Sequence, residues 1–248
     1  MKIIDGYIIY DVSELDTVFM KAGKHRLIKT NKGIEYYNMS NAYDIETTSI
    51  TEFSKLNNEI IDKRAIQYVW QVSLNGKYIM GRTWDEFIIL YNKLVEYYQT
   101  NENKRLIIYV HNLSFEFQFM RKHFKWLKVF SLDKRQPIQA VTIDGIEFRC
   151  SYLLSGFSLE KLGEQLTKYK ARKKTGSLDY SKLRHTKTPL TNNEILYCLA
   201  DVEVVTNYIK EEIENNGNIT KIPLTKTGYV RNYCRERCFT TPHGQKIA

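Results

Sequence analysis

The stretch Tyr43-Asp44-Ile45-Glu46-Thr47-Thr48 contains two carboxylates two residues apart, around which the fold and the candidate site are organised. Its apolar and acidic residues alternate with the period of a β-strand, so Asp44 and Glu46 should lie side by side on one face. Such a pair is more often a solvated strand end than a site. Carboxylates held this close repel each other unless a cation joins them, however, and hard oxygen ligands suit Mg²⁺ or Mn²⁺. We expect a metal-binding strand that ends here, with Thr47-Thr48-Ser49 turning the chain away.

The composition fits a protein with a large core and a polyanionic partner. The 248 residues are 43% hydrophobic, no apolar run is long enough to span a membrane, and the N-terminus lacks a secretory pattern. We therefore expect a soluble, cytoplasmic protein with no membrane partner. The net charge of +9 favours binding to nucleic acid, and the 18 Tyr and 11 Phe offer rings on which unpaired bases could stack. Most of these rings should simply fill the core.

The order of the secondary-structure signals indicates an α/β fold. Strands are predicted over 3–10, 24–29, 66–74, 77–81, 105–110, 126–132, 138–143 and 146–152. Helices are predicted over 84–98, 113–124 and 158–166, and from a capping box at Thr191 and Glu194 to about Glu212. The turns Asn75-Gly76 and Asp144-Gly145 predict β-hairpins, so the sheet must be mixed. We divide the chain into a β-rich segment (1–40), a main domain (41–216) and a linker with a basic C-terminal segment (217–248).

Four acidic residues lie on three of these elements. Asp44 and Glu46 share a strand, and Glu116 follows the buried strand 105–110 on a helix whose inner stripe we expect to contain Phe115, Phe119 and Met120. Asp201 lies on the last long helix of the main domain, one turn after Tyr197. Carboxylates from separate elements can converge on two divalent ions about 4 Å apart, which is the arrangement that stabilises an in-line phosphoryl displacement.

These segments resemble the three motifs of the proofreading 3′–5′ exonuclease domain of family B DNA polymerases, in the protein-primed branch of phages and linear plasmids. The first is Asp44-x-Glu46-Thr47, the second Asn112-x-x-Phe115-Glu116, and the third Tyr197-x-x-x-Asp201. The resemblance includes YVHNLSFE at 109–116 and LDYSKLR at 178–184, and it covers about residues 40–210. After it, PLTKTGYVR at 223–231 resembles the connection to the polymerase part of such enzymes. It implies an RNase H-like fold and the tyrosine subtype of the four-carboxylate exonucleases.

The resemblance also implies a role for each motif residue. Asp44, Glu46 and Asp201, with Glu116 at the position of the second motif, would hold two divalent cations, Mg²⁺ or Mn²⁺. Tyr197 would orient the attacking water, because a phenol with an ordinary pKa is a poor base at neutral pH. The residues expected to grip the terminal nucleotides of a single strand are Thr47, Asn112 and Phe115.

Two features depart from the family pattern. The second motif normally supplies Asp, and the extra methylene of Glu116 moves the carboxylate by about 1 Å, a displacement that can cost about a hundredfold in rate. The family also has a catalytic lysine shortly before the LDY segment. We assign it to Lys174, although the strict ungapped match falls on Thr175. The surrounding basic cluster, 168–174, is either a solvated loop or a phosphate-binding segment that includes Lys170, Arg172 and Lys173.

The sequence thus predicts a two-metal 3′–5′ exonuclease that removes nucleotides from single-stranded DNA. Motifs for DNA polymerisation are absent, so we expect the exonuclease part of a polymerase or a stand-alone product. Its partners would be the 3′ end of DNA and, by resemblance, a polymerase portion and a priming terminal protein. The alternative is a catalytically weak module of the same fold that binds single strands or docks a polymerase. A purely structural basic protein would leave three ordered motifs to chance, and RNA remains open as a substrate.

Overall fold

The computed structural model describes residues 1–20, 25–53, 60–171 and 178–238. Its strands are β1 (Lys2–Ile4), β2 (Tyr7–Tyr10), β3 (Leu27–Lys29), β4 (Glu35–Tyr37), β5 (Asn41–Phe53), β6 (Ile60–Leu74), β7 (Lys77–Gly81), β8 (Lys104–Val110), β9 (Trp126–Ser131), β10 (Pro137–Thr142) and β11 (Ile146–Cys150). Its α-helices are α1 (Leu15–Met20), α2 (Trp84–Tyr98), α3 (Leu113–Met120), α4 (Ser151–Ser155), α5 (Leu159–Gln165), α6 (Asn192–Asn216) and α7 (Lys226–Cys238).

The strands form one mixed sheet, and helices lie against both faces. The strand order is β1-β2-β7-β6-β5-β8-β11-β10-β9, and the short hairpin β3–β4 joins this path through β8. The pairs β5–β8, β8–β11 and β2–β7 are parallel, whereas β5–β6, β6–β7 and β10–β11 are antiparallel. The predicted hairpin turn at Asn75-Gly76 is confirmed, and both of its residues have positive φ. The predicted RNase H-like sheet with hairpins is therefore the fold of this chain.

The alternation of β5 distributes its side chains between the two layers of helices. Tyr43 and Ile45 belong to a large hydrophobic cluster that also contains Phe87 of α2. Ala42 belongs to a second cluster, on the other face, which contains Leu199 of α6. Because strand side chains alternate, the even-numbered acidic residues of β5 share the face of Ala42 and point towards α6.

The prediction that the acidic strand ends at 47–49 is wrong. β5 continues to Phe53, and its later half pairs with β6 alone, as a two-stranded ribbon. A β-bulge between Glu46 and Thr47 interrupts the pairing register. The residues at 47–51 are Thr-Thr-Ser-Ile-Thr, and such β-branched residues favour an extended strand over a turn.

The predicted inner stripe of α3 is also partly wrong. Its buried residues are Leu113, Glu116 and Met120, whereas Phe115 is 41% exposed. The spacing of apolar residues predicts the wrong face of this helix, because the central residue of the buried face, Glu116, is a carboxylic acid. The helix ends at Met120 rather than at 124.

Other boundaries differ by less. The predicted capping box at Thr191 and Glu194 is confirmed, but α6 runs on to Asn216 and is ended by Gly217, whose φ is positive. The short helix α1 was not predicted. Strand β11 ends at Cys150 rather than at 152, because α4 begins at Ser151. Strands β2 and β4 of the first forty residues pair with β7 and β8, and the three-part division of the chain stays a prediction. Within the described ranges, no helix has both the length and the apolarity needed to cross a membrane.

Candidate metal centre

Three of the predicted acidic residues meet where β5 packs against α6. One carboxylate oxygen from each of Asp44, Glu46 and Asp201 lies within 4.8 Å of the other two. The strand period brings the first two to the same face, and α6 crosses that face with Asp201. Glu46 and Asp201 are only 6% and 8% exposed, so the cluster is largely withdrawn from water. Three neighbouring carboxylates in such a place are stabilised by a divalent cation, and they offer the oxygen ligands that Mg²⁺ and Mn²⁺ bind.

A buried glutamine fixes one of these carboxylates. Gln71 of β6 lies directly opposite Asp44 in the antiparallel register, and its amide nitrogen donates a 2.5 Å hydrogen bond to Asp44 Oδ2. Gln71 is completely buried, and its neutral amide holds this carboxylate without adding charge.

Glu116 approaches the same centre from α3 but lies outside the 4.8 Å set. Strand β8 pairs with β5 only as far as Tyr43 and Val110, and α3 begins three residues after Val110, beside the acidic part of β5. Glu116 is 4% exposed, and its Oε2 has no hydrogen-bond partner in the part of the chain that the structure describes. Burial, followed by the charges of Asp44 and Glu46, raises its pKa well above the ordinary value. A buried, unsatisfied carboxyl group facing other carboxylates is consistent with a cation between them.

Tyr197 lies one helical turn before Asp201 and faces the cluster. Burial raises its pKa to about 12, with further contributions from Asp201, Glu46 and Asp44. The phenol therefore keeps its proton at neutral pH, and its hydroxyl can orient a water molecule but not remove a proton from it.

A second tyrosine, which was not predicted from the sequence, lies at this centre. The hydroxyl oxygen of Tyr180 lies 3.0 Å from that of Tyr197. Burial, the hydrogen bond to Tyr197 and the charge of Glu46 raise the pKa of Tyr180. The sequence indicates its importance only through the resemblance of the LDYSKLR segment that contains it, since no spacing rule connects two tyrosines 17 positions apart.

The residues predicted to grip a single strand lie around this centre. Asn112 is the residue before α3, in a left-handed conformation (φ 94°, ψ 58°), and its side chain does not cap the helix. A non-glycine residue held there costs on the order of 1–3 kcal/mol, which is typical of functional positions. Asn112 and Phe115 are exposed, and Thr47 is partly exposed directly after Glu46. Contact of these three with a substrate stays a prediction.

The basic cluster begins far from the acidic one. Lys170 donates to the carbonyl of Leu166, and Lys168 forms an ion pair with Glu214 near the end of α6. The backbone N–H groups of 167–169 all donate to Glu211, about 15 Å from Asp201 along the axis of α6 at 1.5 Å per residue. Arg172, Lys173 and Lys174 lie outside the described residues, so their predicted roles stay predictions.

The comparisons with known proteins support the fold. No family model matches this chain, and no curated protein matches it in sequence. A solved structure of Phi29 DNA polymerase complexed with single-stranded DNA aligns with 82% of this chain, at a TM-score of 0.57 and 16% identity. The same polymerase complexed with primer-template DNA and incoming nucleotides aligns with 78%, at a TM-score of 0.55 and 17% identity. The chain spans about a third of the length of these polymerases, 35% and 33%.

One further structure, the catalytic core of RRP6 from Trypanosoma brucei, aligns with 87% of this chain and 50% of its own length. Its TM-score of 0.45 and identity of 11% are too low to carry an argument. At the identities found with the polymerase, the likeness concerns the fold.

Proposed function

We propose that this chain is a two-metal 3′–5′ exonuclease that removes nucleotides from the 3′ end of single-stranded DNA. The observation that carries the proposal is the meeting of Asp44, Glu46 and Asp201, with the hydroxyl group of Tyr197 beside them. These residues come from two of the three motifs that resemble the proofreading exonucleases. The second motif contributes Glu116, whose buried carboxyl group faces the same centre.

Two divalent cations, Mg²⁺ or Mn²⁺, would supply positive charge for the attacking and leaving oxygens of the phosphodiester. Asp44, Glu46 and Asp201 would hold these cations, and Glu116 would reach the second one or a water molecule bound beside it. Tyr197, which stays protonated at neutral pH, would orient the attacking water through its hydroxyl. The polarity of cleavage rests on the resemblance, since no residue on its own distinguishes a 3′ from a 5′ end.

The substrate contacts follow from the side chains around the centre. We assign to Phe115 the stacking of a terminal base or sugar, because an exposed ring beside a phosphodiester site offers a face to any base. The amide of Asn112 leaves the helix uncapped and can instead hydrogen-bond the same nucleotide. Lys174 would place a positive charge beside the phosphodiester that is cleaved, whereas Thr175, on which the ungapped match falls, would offer only a hydroxyl group.

The biological setting is part of the proposal. We place the activity in the cytoplasm, or in the host cytoplasm if a phage encodes the chain, as proofreading during DNA replication. One of the solved polymerases with this fold is complexed with single-stranded DNA, which supports that substrate class. A polymerase portion and a priming terminal protein are the partners that the resemblance implies.

The test compares oligonucleotides labelled at the 3′ or the 5′ end, incubated with Mg²⁺, Mn²⁺ or a chelator. We expect mononucleotides to be released from 3′ ends only, faster on single strands than on duplex, and not at all in chelator. Asp201→Ala should abolish cleavage and leave DNA binding intact, because the basic surface supplies most of the non-specific affinity. Degradation from the 5′ end, or full activity in chelator, would contradict the proposed function.

A second candidate function is a slow or silent module of the same fold that binds single strands or docks a polymerase. The position of Glu116 outside the 4.8 Å set favours it, because a displaced fourth carboxylate slows a two-metal site. This candidate predicts DNA binding without measurable turnover. The oligonucleotide assay therefore separates the two.

A further inference from the structure

A buried arginine connects β5, α6 and the segment that carries Tyr180. Arg184 is 3% exposed and lies in the segment that carries Tyr180. Its backbone N–H donates to Thr48 Oγ1 at 3.3 Å, two residues after Glu46 on β5. Its guanidinium donates to Glu194 near the start of α6, where Nη2 lies 2.5 Å and Nε 3.2 Å from Oε1.

The same guanidinium holds the backbone next to Tyr180. Its Nη1 donates to the carbonyl of Asp179 at 2.5 Å, and more weakly to that of Lys182 at 3.3 Å. Asp179 immediately precedes Tyr180, so this contact fixes the point from which the Tyr180 side chain projects. Tyr180 itself is 66% exposed and is not held by packing. Its hydroxyl nevertheless lies 3.0 Å from that of Tyr197.

Glu194 makes the other half of this connection rigid. Its Oε2 accepts hydrogen bonds from Thr191 N at 2.8 Å and Thr191 Oγ1 at 3.1 Å, as the capping-box residue of α6. Its Oε1 accepts the Arg184 guanidinium. Because Glu194 and Tyr197 are three residues apart on one helix, they share a face, and the arginine is tied to the helix turn that presents Tyr197.

We propose that Arg184 is a positioning residue for the hydrolytic step, which acts by holding the Tyr180 hydroxyl against the Tyr197 hydroxyl. This inference rests on the proposed exonuclease function. The bond to the carbonyl of Asp179 fixes the backbone beside Tyr180, and the bond to the Glu194 carboxylate fixes the helix turn that carries Tyr197. The planar guanidinium makes both bonds and so fixes the distance between the two tyrosines. Lysine cannot replace it, since a single ammonium group lacks the fork of donors that reaches both acceptors.

A matched control is available in Arg82, which anchors the neighbouring loop through hydrogen bonds that do not include Glu194, Tyr180 or Tyr197. Its Nε donates to the carbonyl of Tyr68 at 2.8 Å, and its Nη2 donates to those of Thr188 at 2.7 Å and His185 at 3.0 Å. Arg82 thus stabilises the same corner of the molecule through backbone carbonyls alone, whereas Arg184 also bonds the Glu194 carboxylate. If Arg184 only stabilised this corner, replacing either arginine by lysine would have the same effect on cleavage.

The experiment is a double-mutant cycle in single-turnover cleavage of a 3′-labelled oligonucleotide at saturating Mg²⁺. We expect Arg184→Lys and Tyr180→Phe each to lower the rate about tenfold, within the range seen for misplaced catalytic groups. The double variant should be no slower than the slower single variant, because the arginine acts through the tyrosine. Oligonucleotide affinity, measured separately, should change less than twofold, and Arg82→Lys should keep the wild-type rate.

Three results would overturn the proposal: multiplicative losses in the double variant, wild-type cleavage by Tyr180→Phe, or an equal loss in Arg82→Lys. Thermal unfolding identifies any variant that fails to fold. Should Arg184→Lys fail, Glu194→Gln replaces it in the cycle, because the carboxamide keeps an oxygen for Thr191 and loses the charge that holds the guanidinium.

A second readout does not depend on activity. In protein labelled with ¹³Cζ-tyrosine, the Tyr197 signal should shift in Arg184→Lys as it does in Tyr180→Phe, since both lose the hydroxyl contact. An unshifted signal in Arg184→Lys contradicts the proposal. If the wild-type protein cleaves no oligonucleotide, the proposed function fails, while the Tyr197 signal still reports whether Arg184 sets the contact between the two tyrosines.

Discussion

Glu116 is one methylene longer than the aspartate found at the second motif of the enzymes that this sequence resembles. Its carboxyl group is buried and unsatisfied among the described residues, so the backbone of α3 has to place it at the right depth. We expect Glu116→Asp to leave the carboxylate short of the centre and to lower single-turnover cleavage by up to about a hundredfold. The measurement uses a short oligonucleotide at saturating Mg²⁺.

Glu116→Gln is the matched control, because it keeps the length and removes the charge. It should be at least as slow as Glu116→Asp if the charge at this depth is needed. An aspartate variant ten or more times faster than the natural protein would contradict the prediction. It would mean that the natural side chain over-reaches, and it would favour the module that binds without cutting.

Sequence could predict the side chains whose neighbours are set by local periodicity. Asp44 and Glu46 share a face because strands have a period of two, and Tyr197 and Asp201 share one because helices bring residues four apart together. Gln71 and Tyr180 were not predicted, because each reaches the centre through a pairing between distant segments. No local pattern marks Gln71 as the cross-strand partner of Asp44.

Elements were predicted where local rules govern them, and missed where tertiary contacts do. The capping box at Thr191 and the Asn75-Gly76 turn are local, and both are confirmed. The continuation of β5 beyond Glu46 depends on its pairing with β6, which no window of a few residues reveals. The buried face of α3 was missed because its central residue, Glu116, is buried for its chemistry and not for its hydrophobicity.

The junction between β8 and α3 contains a titratable group whose effect can be predicted. His111 Nδ1 lies 3.1 Å from Ser151 Oγ, and burial lowers the pKa of the imidazole from 6.5 to about 4. The unfolded chain therefore binds more protons than the native one between these values. The contribution of the neutral His111 to the free energy of unfolding is fully present above pH 6.5. It is lost as the pH falls towards 4, and it amounts to at most about 3 kcal/mol.

We expect His111→Asn to remove this dependence, because asparagine can keep the contact with Ser151 and does not titrate. The measurement is the thermal unfolding midpoint of both proteins from pH 4 to 8, with a chelator present throughout. The two curves should converge, or the variant should become relatively more stable, at the acidic end. A constant offset between them at every pH would contradict the prediction.

On the scale of the whole molecule, the net charge of +9 predicts salt-dependent binding of nucleic acid. The basic cluster should supply part of it, and its members are replaced together by alanine: Lys170, Arg172, Lys173 and Lys174. If all four contact phosphates of a single strand, the slope of log affinity against log salt should fall by about 2.8. The control replaces four exposed cations near the N-terminus by alanine: Lys2, Arg26, Lys29 and Lys32. An equal change in both variants would mean that the cluster contributes only its share of the net charge.

The last prediction concerns the stability of the whole fold, because ions that bind the native centre stabilise it by mass action. At a Mg²⁺ concentration 100 times the dissociation constant, the gain is about 2.7 kcal/mol. For a chain of this size, that gain raises the thermal midpoint by about 5–10 °C. In chelator, no cation offsets the repulsion among Asp44, Glu46 and Asp201, so Asp201→Asn should unfold at a higher temperature than the wild type. With Mg²⁺, the same variant should lose most of the rise in thermal midpoint that Mg²⁺ causes in the wild type.

Asp16→Asn is the control, since Asp16 is an exposed carboxylate paired with Lys93, and this variant should keep the full Mg²⁺-dependent rise. Because unfolding is measured without substrate, a missing Mg²⁺ shift in the wild type, or a full shift in Asp201→Asn, would contradict the metal centre itself, whatever the rate of cleavage.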